Sequence, residues 1–420
     1  MRILFLTLVF APDGVSTATL MTELASDLVA GGHEVTVLTT VPHYNVDPEA
    51  RQRQPLRRRW AGLFYESDYQ GMHVYHAPVH EKGSRILGRL FDYFRFHCVS
   101  TLLGLALRAR YDIVFAPSPP LTIGLNGWLL AWLKRVPFLY NVQEIFPDVA
   151  IALGVLRHSA LIRLFRGVER VTYRSATKVI VISEEFRQDL LRKGVPAHKV
   201  VIIPNFVDTT FMRPGPRQND VARALGLADA FVVLYAGNIG LTQGFETLLA
   251  AAHELRQRQD VVFLVVGHGA RSNWLTEQVQ SRGLMNVRLL PYQPRSAIPA
   301  LYATADICLV PLKHGMSRGT LPSKIYTIMA AGRPAMVSVD PDSEVATLVR
   351  RVGCGWVVKP EDESGLVEAL LEAAHDPAEC RRRGLLGREY VSRTHSREQI
   401  ANQYTKLLNE LSGCRESAIP

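Results

Sequence analysis

Hydrophobic and polar positions along the chain follow two periods. Ile3 to Phe10 is an apolar run of strand length, Thr17 to Ala30 spaces its apolar residues as a helix does, and Glu34 to Thr40 is rich in Val and Thr. The chain therefore opens with a βαβ unit. After a basic stretch from Pro42 to Gly71 that reads as irregular, strands are predicted at Asp112 to Ala116, Phe138 to Val142 and Lys178 to Ile182, with helical segments between them. Such alternation builds a parallel sheet covered by helices. Pro204, Pro214, Gly215 and Pro216 break the pattern and mark a linker. A second βα series follows, with strands at Phe231 to Ala236, Val261 to Val266, Val287 to Leu290, Ile307 to Val310 and Ala335 to Val339. The closing segment places Ile400, Tyr404, Leu407, Leu408 and Leu411 at helical spacing, which demands a partner surface.

The predicted fold is α/β: two Rossmann-like, doubly wound domains facing across a cleft, with a C-terminal helix packing back on the first. The boundaries are residues 1–208, 209–395 and 396–420, the last being the returning helix and tail. Open sheets of this kind bind ligands at the carboxyl ends of their strands.

Composition narrows the function. A length of 420 residues suits two or three domains, and 47% hydrophobic with 21% charged residues excludes disorder as the main state. The five cysteines, at 98, 308, 354, 380 and 414, form no CxxC pair, so reduced cytosolic thiols are expected rather than a zinc site or a disulfide framework. Ile3 to Phe10 reads as a buried strand, not a signal peptide, and Leu121 to Leu133 is too short to span a bilayer. Charge is uneven: 48 Lys and Arg oppose 39 Asp and Glu, a net of +9, while residues 51–110 alone hold eleven cations against four acids. That patch suits an anionic lipid, an anionic substrate or a nucleic acid, or is a solvated arginine face. Nucleic acid is disfavoured because no helix-turn-helix or RNP pattern accompanies it.

Several loops carry candidate chemistry. Phe10-Ala-Pro-Asp-Gly14 joins a strand to a helix and reads either as an anion or sugar site at Gly14 or as a tight turn. Tyr235-Ala-Gly-Asn-Ile-Gly-Leu-Thr-Gln-Gly244 offers close backbone approach at Gly237 and Gly240, with hydrogen bonds from Asn238 and Gln243. On the next strand, Val266-Gly-His-Gly-Ala-Arg271 supplies Gly267, Gly269 and Arg271. In Ser317 to Pro334, Ser323 is the expected N-cap and Lys324 falls in a first helical turn, where a cation opposes the dipole. Either an anion binds there or Lys324 is simply solvated. Asp340-Pro-Asp342 reads as a turn in preference to a metal site, the His spacing suggests no metal constellation, and Ser183 and Ser338 lack a GxSxG context.

The motifs Met1-Arg-Ile-Leu4, Gly31-Gly-His-Glu-Val-Thr-Val37, Val179-Ile-Val-Ile-Ser183, Ile203-Pro-Asn-Phe-Val-Asp208, Tyr235-Ala-Gly237, Val266-Gly-His-Gly269, Ala305-Asp306 and Ala330-Ala-Gly-Arg-Pro334 resemble, in this order, a retaining GT-B glycosyltransferase of family four. The resemblance covers nearly the whole chain. Two departures stand out. Gly319 and Thr327 occupy positions where the family commonly has two Glu, and Asn238-Ile-Gly240 with Gln243 replaces a common Arg and Lys. These departures, with Leu321-Pro-Ser-Lys324 and Val142-Gln-Glu-Ile-Phe-Pro-Asp148, are similar to the bacterial fucosamine-type transferases of O-antigen and capsule assembly.

The resemblance implies sugar transfer, with retention, from a UDP-linked donor, possible donors including N-acetylated amino sugars, to a polyprenyl-diphosphate-linked saccharide. No cofactor and no metal are implied; the nucleotide sugar is a substrate. Lys324 would be the main cation on the donor diphosphate. Glu144 or Asp148 would orient the acceptor beside Gln143, which stands where relatives often have His. Glu344, opening a predicted helix, reads either as a ribose contact or as a complement to the helix dipole. A nonhydrolysing nucleotide-sugar epimerase and a catalytically weak donor-binding scaffold are the alternative readings. The expected location is cytoplasmic, peripheral on the inner face of the membrane, with Arg57-Arg-Arg-Trp60, Leu63-Phe64-Tyr65 and the stretch Arg85 to Arg110, including Leu87, Leu90, Phe91, Phe94 and Phe96, contacting anionic lipid; the alternative for the last stretch is a core helix of the first domain.

Overall fold

A computed structural model describes residues 1–44, 48–79, 86–317 and 322–416. It divides into two units, one of Met1–Asn205 with Ile400–Pro420 and one of Phe206–Gln399. Unit 1 is built on β1 (Arg2–Leu6), β2 (Glu34–Thr40), β3 (Arg57–Arg59), β4 (Phe64–Tyr69), β5 (Met72–Ala77), β6 (Ile113–Pro117), β7 (Phe138–Val142), β8 (Lys178–Val181) and β9 (Val200–Ile202). The sheet order is β3-β4-β5-β2-β1-β6-β7-β8-β9, parallel except where β3 pairs β4 and β4 pairs β5.

The stretch expected to be irregular is therefore an antiparallel extension of the sheet. Its arginines explain the misreading. Arg57 and Arg59 lie on a three-residue edge strand and pair across to Asp68 at 2.6 Å and Glu66 at 2.7 Å on β4. A short, charged edge discourages further strand addition. Those two charges are thus partly answered within the sheet. Phe64 and Phe96, expected as membrane contacts, are buried instead. Arg85 lies outside the described residues, as do the side chains of Leu87 and Leu90.

The two faces of this sheet are covered differently. Phe138 and Tyr140 point toward the Ile123–Lys134 helix, where Gly127 and Gly124 leave room for their rings. Asn141, one residue out of phase, points the other way and donates to the Tyr404 hydroxyl of the Arg397–Glu416 helix at 2.6 Å. Tyr404 also meets Phe115 edge-on, and the whole predicted stripe of Ile400, Tyr404, Leu407, Leu408 and Leu411 is buried.

Unit 2 has β10 (Phe231–Ala236), β11 (Val261–Val266), β12 (Val287–Leu290), β13 (Ile307–Pro311), β14 (Ala335–Ser338) and β15 (Gly355–Val358), all parallel in the order β12-β11-β10-β13-β14-β15. Alternate residues of these strands feed two cores: Val232, Leu234, Val262 and Leu264 face one, and Val233, Tyr235, Phe263 and Val265 face the other. The order reverses between β10 and β13, so the loop after β10 emerges at the switch point.

Replacing Tyr404 by Phe strands the buried Asn141 amide donor. Tyr404→Phe is expected to lower stability by about 1–2 kcal/mol in urea denaturation with little change in m.

Candidate functional site

The loops leaving β10 and β11 form the densest part of unit 2. Gly237 and Gly267 adopt φ of 145° and 149°, and a Cβ on Gly267 would stand 1.9 Å from the Gly237 carbonyl. Only glycine satisfies both constraints. The two loops are stitched by backbone hydrogen bonds: Gly237 N donates to Val266 O, Ile239 N to His268 O and Arg271 N to Ile239 O. Gly269 is equally confined, its Cβ position lying 2.3 Å from Ile239 O. Beyond the switch point, Lys313 N donates to Thr242 O.

Lys324 opens the Lys324–Ala330 helix beside this lattice. Its Nζ lies 3.9 Å from the Tyr235 ring centroid and 3.1 Å from where a Gly237 Cβ would be. The Tyr235 hydroxyl in turn donates to Asn238 O at 2.6 Å. No carboxylate among the described residues pairs with Lys324, and burial pulls its ammonium down to about 7. A cation held this way favours an incoming anion, because pairing offsets the cost of desolvation. Gly237, Asn238, Gly267, Gly269 and Lys324 thus form one neighbourhood.

Other predicted donor contacts are engaged elsewhere. Gln243 turns into its own loop, accepting from Gly240 N at 2.9 Å and donating to Thr242 Oγ1. Arg271 pairs with Glu246 at 2.6 Å and stacks on Trp274; Lys313 shares that carboxylate, which is held down at about 2 despite its partial burial. Ser323 does not cap its helix. Its φ and ψ of −54° and −20° are already helical, so the hydroxyl cannot reach forward, and Tyr326 N bonds to Ser323 O instead. Glu344 does open a helix, Glu344–Val352, which Ser343 caps through Ala346 N. Asp340 accepts from Gly315 N and the Ser317 hydroxyl and pairs with His314 at 2.8 Å, the environment of a turn residue. Arg318 to Leu321, including the departure at Gly319, lie outside the described residues.

In unit 1, Gly14 N is bonded to Tyr44 O, and the neighbouring Asp13 carries the more unusual chemistry. Its Oδ1 accepts from His43 N at 2.8 Å and Tyr44 N at 2.7 Å, while buried Oδ2 has no partner among the described residues. Burial pushes this carboxyl up to about 7, against the two N–H groups that pull it down. The sequence signal was an acid inside an apolar strand-to-helix loop, overlooked in favour of the adjacent glycine. Gln143 is a structural linchpin rather than a free amide: its side chain accepts from Asn205 at 2.9 Å and donates to Asn141 Oδ1 at 2.8 Å, and its backbone N–H donates to Ser118 Oγ at 2.9 Å. Asp148 starts a short helix and pairs with Lys193 at 2.6 Å, which also binds buried Glu169. Glu144 alone of these three has no side-chain partner among the described residues. It reaches solvent, yet the protein packed around it raises its carboxyl above the ordinary value.

Residues 14–205 match the Glycosyl transferase 4-like domain, and residues 218–389 match Glycosyl transferases group 1. The fold matches sucrose-phosphate synthase from Thermosynechococcus elongatus with a TM-score of 0.77 at 22% identity, covering 99% of this chain and 100% of that one. The chain has the fold and both domains of a GT-B glycosyltransferase. Among related glycosyltransferases is one named for colanic acid biosynthesis, WcaI of Escherichia coli (strain K12), 28% identical over 98% of this chain and 100% of that protein. Another, from Escherichia coli, is named UDP-Gal:alpha-D-GlcNAc-diphosphoundecaprenol alpha-1,3-galactosyltransferase; it is 24% identical over 66% of this chain and 70% of its own. The same fold occurs in Anabaena HepE, solved in complex with UDP, with a TM-score of 0.69, 17% identity, and 98% and 100% coverage.

Two consequences of this glycosyltransferase's geometry are measurable. Gly267→Ala is expected to lose about 2 kcal/mol or more of stability in chemical denaturation, since the clash is with backbone. Asp13 binds its proton more tightly folded than unfolded, so its contribution to stability falls as pH rises from about 4 to about 7. Asp13→Asn should remove that decline, seen as a smaller difference between denaturation midpoints at the two ends of the window.

Proposed function

We propose that this glycosyltransferase transfers a sugar, a hexose or an N-acetylated amino sugar, from a UDP-linked donor to a hydroxyl of a polyprenyl-diphosphate-linked saccharide in cell-surface polysaccharide synthesis, with retention and without metal. The observation that carries the reading is Lys324, an ammonium seated on Tyr235 beside Gly237 with no carboxylate to neutralise it among the described residues. The leaving group is a nucleoside diphosphate. Positive charge fixed where negative charge develops lowers the barrier, and a preorganised cation does so without reorganising at the moment of reaction.

In this reading unit 2 holds the donor. Asn238 and the backbone of the Gly237–Gly240 and Gly267–Gly269 loops meet the diphosphate or sugar, and Glu344 meets the ribose. Gln243 and Arg271 shape the loops instead of touching the donor, since both are engaged within them. Unit 1 takes the acceptor. Glu144 orients its hydroxyl, Asp148 and Gln143 act as positioning residues, and the departing phosphate removes the proton. UDP in the HepE structure and the lipid-linked acceptor in the galactosyltransferase's name support this choice of substrates. Matches to glycosyltransferase domains in both halves favour transfer over the epimerase and scaffold readings. A lipid-linked acceptor calls for work at the cytoplasmic membrane face; among the described residues no helix is long and apolar enough to cross a membrane.

The test is transfer from labelled UDP-sugars to a detergent-solubilised polyprenyl-diphosphate saccharide, with the product's anomeric configuration read by NMR and the reaction repeated in chelator. Lys324→Ala is expected to reduce kcat/KM by about 100-fold or more, and undiminished transfer by that variant overturns its role. UDP should bind the wild type more weakly as pH rises above about 7, because the ammonium is lost from the free site while the bound diphosphate retains it. The variant's affinity should lack that slope.

A further inference from the structure

Fourteen of the eighteen large apolar side chains that lie exposed among the described residues belong to unit 1, and eleven of those occupy three neighbouring helices. On Ile86–Ala106 they are Phe91, Phe94, Leu102 and Leu105, one stripe at helical spacing. On Ile123–Lys134 they are Trp128, Leu129, Trp132 and Leu133, opposite the buried face that packs on the sheet. On Ser159–Ser175 they are Leu161, Leu164 and Val171. The first two helices are locked side by side, His97 to Thr122 at 2.8 Å and Asn126 to Ser100 at 2.7 Å, and the second meets the third where Gly124 faces Thr172.

Charge on this layer has one sign. The segments 86–110, 123–135 and 159–175 contain ten Lys and Arg and two acids, Asp92 and Glu169, and both acids are buried. Arg108, Arg110, Arg135, Arg163, Arg166 and Arg170 are exposed. Apolar stripes flanked by arginine, with tryptophan among them and no exposed acid, match the interfacial zone of an anionic bilayer. A second copy of the same face is a poor occupant, because a two-fold contact would set like charge against like.

We propose that the layer formed by Ile86–Ala106, Ile123–Lys134 and Ser159–Ser175 is the surface by which this chain docks on anionic phospholipid. Each helix follows the carboxyl end of a strand, β5, β6 or β7, so Phe91, Phe94, Leu161 and Leu164 lie at the same end of unit 1 as Gly14 and Glu144. The lipid face and the acceptor end therefore adjoin. This surface rests on the lipid-linked reading of the acceptor only for its purpose, not for its existence. It keeps Phe91 and Phe94 of the membrane contact expected from sequence and leaves out the stretch around β3, where Arg57 and Arg59 are paired.

The full-length chain is tested by flotation with vesicles of phosphatidylcholine alone or mixed with phosphatidylglycerol, at low and high salt. Binding to the mixed vesicles at low salt, weakened by salt, is expected. The triple variant Phe94→Ser, Trp132→Ser, Leu164→Ser and the double variant Arg163→Glu, Arg166→Glu should each reduce the bound fraction by about tenfold or more, while Trp60→Ser leaves it unchanged. Thermal melting at the wild-type temperature shows that the variants are folded. Wild type that stays unbound at low salt overturns the proposal. So does equal flotation of both multiple variants, or a wild-type dimer in light scattering that the triple variant dissolves. With a solubilised acceptor the triple variant should transfer normally, whereas with acceptor embedded in vesicles it should lose activity. Flotation without any transfer would remove the proposed reaction and leave the surface; transfer without flotation would do the reverse.

Discussion

Unit 2 is organised by the contact of one backbone with another at Gly237 and Gly267. A carbonyl oxygen sits where any side chain on Gly267 would have to go, and both residues use positive φ. That approach permits the ladder through Ile239, His268 and Arg271, which extends two strands beyond their formal ends. Tyr235 then seats its hydroxyl on Asn238 O and turns its ring face to Lys324. The placement of the ammonium is thus a product of backbone geometry two strands wide. An aromatic face attracts a cation but leaves its formal charge intact, so the site presents charge without an internal counter-ion among the described residues.

Strands β1, β2, β6, β7, β8 and β10 to β14 were legible because parallel strands buried on two faces read as apolar runs, whereas the short edge strands β9 and β15 were not. β10, β11 and β12 match their predicted ranges residue for residue. The extension made by β3, β4 and β5 was not legible, because its alternation is masked by arginines whose partners, Asp68 and Glu66, sit on the neighbouring strand. Sheet pairing is a non-local property, and a charge count along the chain cannot show which cations are already answered.

The candidate site divides along a similar line. Gly237, Gly267 and Lys324 were legible from type and spacing, since glycine at a strand end and a cation in a first helical turn each violate a local preference. Gln143, Asp148, Gln243 and Arg271 were assigned by their chemistry, but their partners are Asn205, Lys193, Gly240 and Glu246. A polar residue near a strand end advertises only that it needs a partner. Asp13 shows the converse: its backbone donors come from the loop after β2, some thirty residues away.

The Arg397–Glu416 helix has a consequence for how the chain comes to be folded. It covers Phe115 and engages Asn141, which in turn holds Gln143. Synthesis runs from the amino end, so all of unit 2 is made before this piece of unit 1 exists. Unit 2 is contiguous in sequence and can close its cores as soon as it emerges, whereas unit 1 must wait with Phe115 and Asn141 lacking their Tyr404 partner. The domain that begins first is therefore the one completed last, and the loop bearing Gln143 gains its full support only when the final helix is made.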